Sequence, residues 1–129
     1  MRVTRLDGAE GPLAARRRVS RERPDAVVAP LAGGAAGLLG RSAPLISLLA
    51  APPAGGGGSR LRRWLERRQA RGSVLLVAPE RPVAVACAQR WGLDLARIRL
   101  VAGSEGGLAD DQVADLLRRR PGGRAWHLA

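Results

Sequence analysis

The chain has 129 residues, which suffice for one domain but not for two. A single cysteine, Cys87, excludes an internal disulfide and fits a cytoplasmic, reducing location, and no apolar run reaches the roughly 18 residues of a membrane span. The net charge of +11 rests on 22 arginines without any lysine. Such a charge favours a polyanionic partner, although the codon usage of a GC-rich genome would also raise the arginine content.

Residues 1–24 are polar and basic, with the charged run ARRRVSRER at positions 15–23. We expect a solvated helix or a loose, disordered arm here, followed by a single α/β domain over residues 25–129. The first part of the chain holds most of the charge, because residues 1–72 carry a net +9 and residues 73–129 a net +2. A phosphate-contacting arm is the functional alternative, and counterion release would make its binding strongly salt-dependent.

Two apolar segments follow the basic segment. Residues 25–40 (DAVVAPLAGGAAGLLG) predict a short strand, a turn and a weak helix, because each glycine costs a helix about 1 kcal/mol relative to alanine. Residues 45–49 form a continuous apolar run between Pro44 and Pro52. Such a run is typical of a strand that is buried on both faces of a parallel sheet.

A glycine-rich loop (PPAGGGGS, residues 52–59) joins this strand to a basic helix, in the order of a phosphate-binding unit. In the pattern G-x-x-x-x-G-K-[ST], Gly58 stands in place of the lysine and Pro52 in place of the first glycine. The candidate nucleotide-binding residues are Gly55, Gly56, Gly57, Gly58, Ser59 and Arg60. Without the lysine that neutralises the β- and γ-phosphates we expect no efficient hydrolysis, and a structural turn or a flexible linker is the alternative.

The helix predicted from residue 60 to about residue 71 carries an arginine-rich surface. Ser59 is its expected N-cap and Gly72 its terminating residue. We expect Leu61, Trp64 and Leu65 to form its apolar face. The candidate contacts to nucleic acid or to an acidic protein partner lie on the rest of the helix, at Arg62, Arg63, Arg67 and Arg68.

Strands and helices alternate along the rest of the chain. The apolar runs 74–77 and 98–101 predict two more buried strands, and residues 83–91 and 108–120 predict helices. Gly92 is expected to end the first of these helices, and a last short strand is expected over residues 124–128. This order of elements predicts an α/β fold with three layers and a parallel sheet.

The sequence offers no convincing catalytic site, which favours a protein that is not an enzyme. Glu80 follows a strand, where an acid could activate water, but a surface carboxylate is the simpler interpretation. His127 lies at the end of the last expected strand without a partner for base catalysis. We interpret Cys87 as a small buried apolar residue, and no cluster has the spacing of metal ligands.

Several short motifs resemble the RecA-like ATPases, in particular the degenerate RecA paralogues of the ImuA and SulA type. The phrase GLDLARIRLV (residues 92–101) is close to their G-[VL]-D-L-x-[RN]-[IL]-x-[VL], with SVLLVAPE before it and ADDQVADLLRR after it. LAGGAAGLLGRSAP (residues 31–44) is similar to the glycine-rich segment that precedes their phosphate loop. The ATPases of LuxR/MalT-type regulators and the ParA/MinD-like proteins are alternative families, since they share the loop pattern.

The resemblance implies a truncated RecA-like P-loop topology with a degenerate Walker A loop. It further implies a non-catalytic accessory protein of DNA repair or damage-induced (SOS) mutagenesis, which acts through a protein partner such as a mutagenesis polymerase and through DNA. No cofactor is expected in that case. The alternatives are an ATP-binding P-loop NTPase with Mg²⁺, and a basic structural protein of a nucleoprotein assembly.

Overall fold

The computed structural model describes residues 1–40, 43–51 and 59–119. The elements, in chain order, are β1 (Val3–Arg5), α1 (Pro12–Glu22), β2 (Ala26–Pro30), β3 (Leu45–Leu48), α2 (Arg60–Gly72), β4 (Leu75–Ala78), α3 (Arg81–Trp91), β5 (Ile98–Leu100) and α4 (Asp110–Arg118). Short 3₁₀ turns at Leu95–Arg97 and Ser104–Gly106 precede and follow β5.

The five strands form one parallel sheet in the order β1-β2-β3-β4-β5. Residues of β2 and β4 are almost all buried, as their continuous apolar sequences predict. By contrast, β5 lies at the edge and is only partly covered, so the prediction that it resembles the inner strands is wrong; Leu100 is 49% exposed. The predicted parallel α/β sheet is confirmed.

Helices cover both faces of the sheet, which gives the three layers that the sequence predicts. Side chains of α1, α2 and α3 pack on the face that carries Val27, Leu45 and Leu76. Side chains of α4 pack on the other face, against Val28 and Val77. The alternation follows from the strand geometry, because successive side chains of a strand point to opposite faces.

The basic N-terminal segment forms β1 and α1, so of the two expected alternatives the helix agrees with the structure; the segment also joins the sheet. Ala15 and Val19, four residues apart on α1, are buried in the core, and β1 pairs with β2. Thr4 Oγ1 also donates a hydrogen bond of 2.7 Å to Glu22, which ties β1 to the end of α1. This packing was not predicted from the sequence, because the segment is mostly charged and only two small apolar residues hold one face of the helix against the core.

Other boundaries lie close to their predicted positions. Pro82 stands in the first turn of α3, and Gly92 ends that helix in the left-handed conformation with φ of 65°. Residues 31–39 form turns rather than the expected weak helix. The expected strand over residues 124–128, with His127, lies outside the described residues.

Candidate functional site

Helix α2 buries a different face from the one that its large apolar residues predict. Leu61 and Trp64 are 65% and 50% exposed. The buried positions are Leu65, Glu66, Gln69 and Ala70. The expected apolar face is therefore wrong for Leu61 and Trp64, because polar side chains with internal partners take the inward positions.

Glu66 is buried because its carboxylate joins two other segments to α2. One oxygen accepts a 2.7 Å hydrogen bond from the backbone N–H of Gly33, in the loop after β2. The other accepts a 3.0 Å hydrogen bond from the indole N–H of Trp91, at the end of α3. Hydrogen bonds to a charged group contribute more than neutral ones, so this carboxylate fixes the position of α2 against both neighbours.

Gln69 continues the buried polar network toward the centre of the sheet. Its amide N–H groups donate to the Pro30 carbonyl at 2.9 Å and to Ser47 Oγ at 3.0 Å, and its oxygen accepts from the Ala36 N–H at 3.1 Å. Ser73 Oγ donates to the Gln69 carbonyl at 2.7 Å and lies 2.6 Å from Ser47 Oγ. Because each hydroxyl has one proton, Ser47 must donate to Ser73, and every member of this chain then has a partner.

Two glycines let the loop after β2 lie directly against α2. A Cβ on Gly34 would stand 2.6 Å from Leu65 Cβ, and a Cβ on Gly37 would stand 2.6 Å from the Leu65 carbonyl oxygen. Gly34 also has a positive φ of 66°, a conformation that favours glycine. The glycine-rich segment therefore serves as a contact surface for α2.

The outward surface of α2 is lined with arginine. Six residues of this helix are exposed arginines: Arg60, Arg62, Arg63, Arg67, Arg68 and Arg71. Within the described part of the chain, none of them forms an ion pair. Arginines of other elements do have carboxylate partners, as in the Arg18–Glu22 pair at 3.0 Å and the Arg5–Asp110 pair at 2.5 Å.

This arrangement of charge on α2 disfavours the helix itself. The first turn holds no acidic residue, so Arg60, Arg62 and Arg63 lie at the end where the helix dipole is positive. Arg63, Arg67 and Arg71 also follow one another at intervals of four residues, a spacing at which like charges destabilise a helix by about 0.2–0.5 kcal/mol a pair. A bound polyanion would remove both penalties.

Two grooves flank this arginine surface. The groove between α2 and the turns after β2 has a volume of about 410 Å³ and is lined by Trp64, Arg67 and Arg68. The guanidinium carbon of Arg68 lies 5.4 Å from the centre of the Trp64 ring. The second, here called the α2–α3 groove, measures about 440 Å³ and runs between α2 and the C-terminal end of α3.

The expected nucleotide loop can be followed only at its end. Gly55, Gly56, Gly57 and Gly58 lie outside the described residues. Ser59 Oγ accepts a 3.1 Å hydrogen bond from the Arg62 N–H, which confirms the predicted N-cap. Arg60 is exposed in the first turn of α2. The hydroxyl that would hold Mg²⁺ in a P-loop is thus engaged with the helix.

The described part of the neighbouring sheet edge is acidic. Glu80 and Glu105 line a cavity of about 450 Å³ beyond the carboxyl ends of β3 and β4, beside Ala51. Two carboxylates disfavour a phosphate group there. In addition, ligands of open α/β sheets bind where the strand order reverses, and the order of these five strands never does.

Cys87 is a buried structural residue, as the sequence indicates. Its thiol is fully buried against the sheet and donates to the Ala50 carbonyl at 3.2 Å. Burial raises the pKa of the Cys87 thiol to about 11, which keeps it protonated and unreactive at neutral pH.

The described residues contain no group of three or more His, Cys, Asp or Glu side chains that could hold a metal ion. None of their helices is both long enough and apolar enough to cross a membrane.

The sequence named five of the six exposed arginines of α2 as candidates, Arg60 for the nucleotide loop and four for a partner, and it did not single out Arg71. Arg71 could have been found, because it follows Arg67 by one helical turn. Arg90 and Arg97 approach the α2–α3 groove from α3 and from the turn before β5. Their positions depend on how these elements pack, and no local pattern shows this.

Comparison with known proteins gives no relative for this chain: no protein-family model, no curated protein and no solved structure matches it. The RecA-like resemblance therefore stays a prediction. The fold and the arginine surface carry the functional argument.

Proposed function

We propose that this protein is a non-catalytic nucleic-acid-binding accessory protein, and that the exposed arginines of α2 form its binding surface. Arg62, Arg63, Arg67 and Arg68 contact the phosphate backbone in this proposal. The RecA-like resemblance adds DNA repair or damage-induced mutagenesis as the setting, the cytoplasm as the location and a mutagenesis polymerase as a protein partner.

The observation that supports the proposal is that the α2 arginines form no ion pair with any residue that the structure describes. The codon usage of a GC-rich genome would account for arginine in place of lysine, but it would not account for six arginines on a single helix whose acidic residue, Glu66, points inward. A guanidinium group donates several hydrogen bonds in a planar fork that matches phosphate oxygens. A helix with this exposed surface fits a phosphate backbone without the need for base-specific contacts.

The first test is the affinity for a short random-sequence DNA duplex, measured by fluorescence anisotropy at moderate salt. The triple variant Arg62→Gln, Arg63→Gln and Arg67→Gln removes three charges from α2. We expect it to bind at least about ten-fold more weakly, because each lost phosphate contact also loses the release of a counterion.

The matched control removes the same charge from α1, through Arg16→Gln, Arg17→Gln and Arg21→Gln. These three residues are exposed and form no ion pair within the described part of the chain. The proposal predicts a loss of less than about three-fold for this control, from the lower net charge alone. Equal losses for both variants would show diffuse attraction and would contradict a binding surface on α2.

A further inference from the structure

We propose that the α2–α3 groove is a binding site for a compact, multiply charged phosphate group. This inference goes beyond the proposed function, because the groove combines arginines from three elements and excludes Arg62 and Arg63. Four arginines line it: Arg67 and Arg71 from α2, Arg90 from α3, and Arg97 from the turn before β5.

Among the described residues, nothing compensates the charge of the α2–α3 groove. No aspartate or glutamate is among its described lining residues, and none of the four arginines forms an ion pair with a described residue. Four arginines that line one groove of about 440 Å³ bring like charges close to one another, which is unfavourable. A bound anion would be attracted by all four arginines and would offset their mutual repulsion. The side-chain amide of Gln89, which also lines the groove, could donate a further hydrogen bond to it.

Arg90 is held in place more firmly than a surface arginine. It is half-buried, its guanidinium carbon lies 5.8 Å from the centre of the Trp91 ring, and Trp91 is itself fixed by its hydrogen bond to Glu66. The Nε of Arg90 is buried and has no hydrogen-bond partner among the described residues. A guanidinium group fixed in this way loses little conformational freedom when it binds a ligand.

The position of the groove determines the charge that its ligand needs. Arg71 and Arg90 lie in the last turns of α2 and α3, where the helix dipoles are negative. The dipoles therefore oppose an anion, and the guanidinium groups alone must attract it. A ligand with several negative charges within a short distance gains most from four such groups, which favours a polyphosphate over a single carboxylate or sulfate.

The test is a calorimetric titration of the full chain with inorganic tripolyphosphate. We expect saturable binding at one site. Arg97→Gln should weaken the binding of tripolyphosphate by about ten-fold or more, because it removes a charge-assisted contact. Arg97 is exposed, so its replacement should not disturb the fold. Arg90→Gln should weaken the binding to a similar extent. The control variant Arg16→Gln with Arg17→Gln removes two exposed charges from α1 and should change the affinity by less than about two-fold.

The absence of saturable binding, or equal weakening by the control, would overturn the proposal. Two further titrations, with ATP and with a single-stranded oligonucleotide, show which kind of phosphate ligand the groove prefers. The preferred ligand is the one whose affinity falls most in Arg97→Gln. Either result supports the site. The two proposals share Arg67, so the double variant Arg62→Gln with Arg63→Gln distinguishes them. The proposed function predicts that this double variant binds the DNA duplex more weakly, and neither residue lines the groove.

Discussion

At positions 34 and 37 the chain needs residues without a side chain, because the α2 backbone lies against them. The same contact is fixed by hydrogen bonds from Gly33 and Ala36 to the carboxylate of Glu66 and the amide of Gln69. These residues make no contact with nucleic acid in the proposed function. They set the rotation of α2 about its axis and thereby decide which of its side chains face the solvent.

Gly37→Ala tests this contact. Gly37 does not have a positive φ, so the change adds only a methyl group 2.6 Å from the Leu65 carbonyl oxygen. We expect a loss of about 1–3 kcal/mol in the free energy of unfolding, measured by urea denaturation, because the helix must move away. Gly106→Ala is the control, since nothing lies within 4 Å of its added methyl group. A loss for Gly37→Ala no larger than that of the control would contradict the close contact.

At the scale of the element, α2 shows where prediction from sequence succeeds and where it fails. Its N-cap and its length follow from Ser59 and the glycine at position 72, and both agree with the structure to within one residue. Its buried face does not follow, because Trp64 is the largest apolar side chain of the helix and yet is half-exposed. Burial of Glu66 and Gln69 depends on partners some 33 residues away in the chain, so it is not readable locally.

Arg62→Glu tests whether the positive surface charge of α2 destabilises the helix. Residue 62 is three positions after the Ser59 N-cap, so a glutamate there completes a capping box and suits the helix dipole. We expect thermal unfolding to show a gain of about 0.5–1 kcal/mol in stability, together with weaker DNA binding. A loss of stability would show that the arginine has a structural role and would contradict our interpretation.

At the scale of the whole molecule, the alternation of apolar runs and helices was enough to predict the parallel sheet and its three layers. The order of the strands was not predictable, because nothing within a single strand states which neighbours it pairs with. The N-terminal segment was the main difference: a helix was one of the expected alternatives, but β1 pairs with β2 and α1 packs on the sheet, which was not expected. The grooves beside α2 result from the packing of α2 against other elements. The sequence therefore indicated only the lining residues that α2 contributes.

The central claim is that the arginines of α2 contact nucleic-acid phosphates. The most direct measurement is the slope of log K against log salt concentration for binding to a random-sequence duplex. For the triple variant of Arg62, Arg63 and Arg67 we predict a slope shallower than that of the unmodified protein by roughly 2–3, since each phosphate contact contributes about 0.9. An unchanged slope in this variant, with a shallower one in the α1 control, would contradict the account.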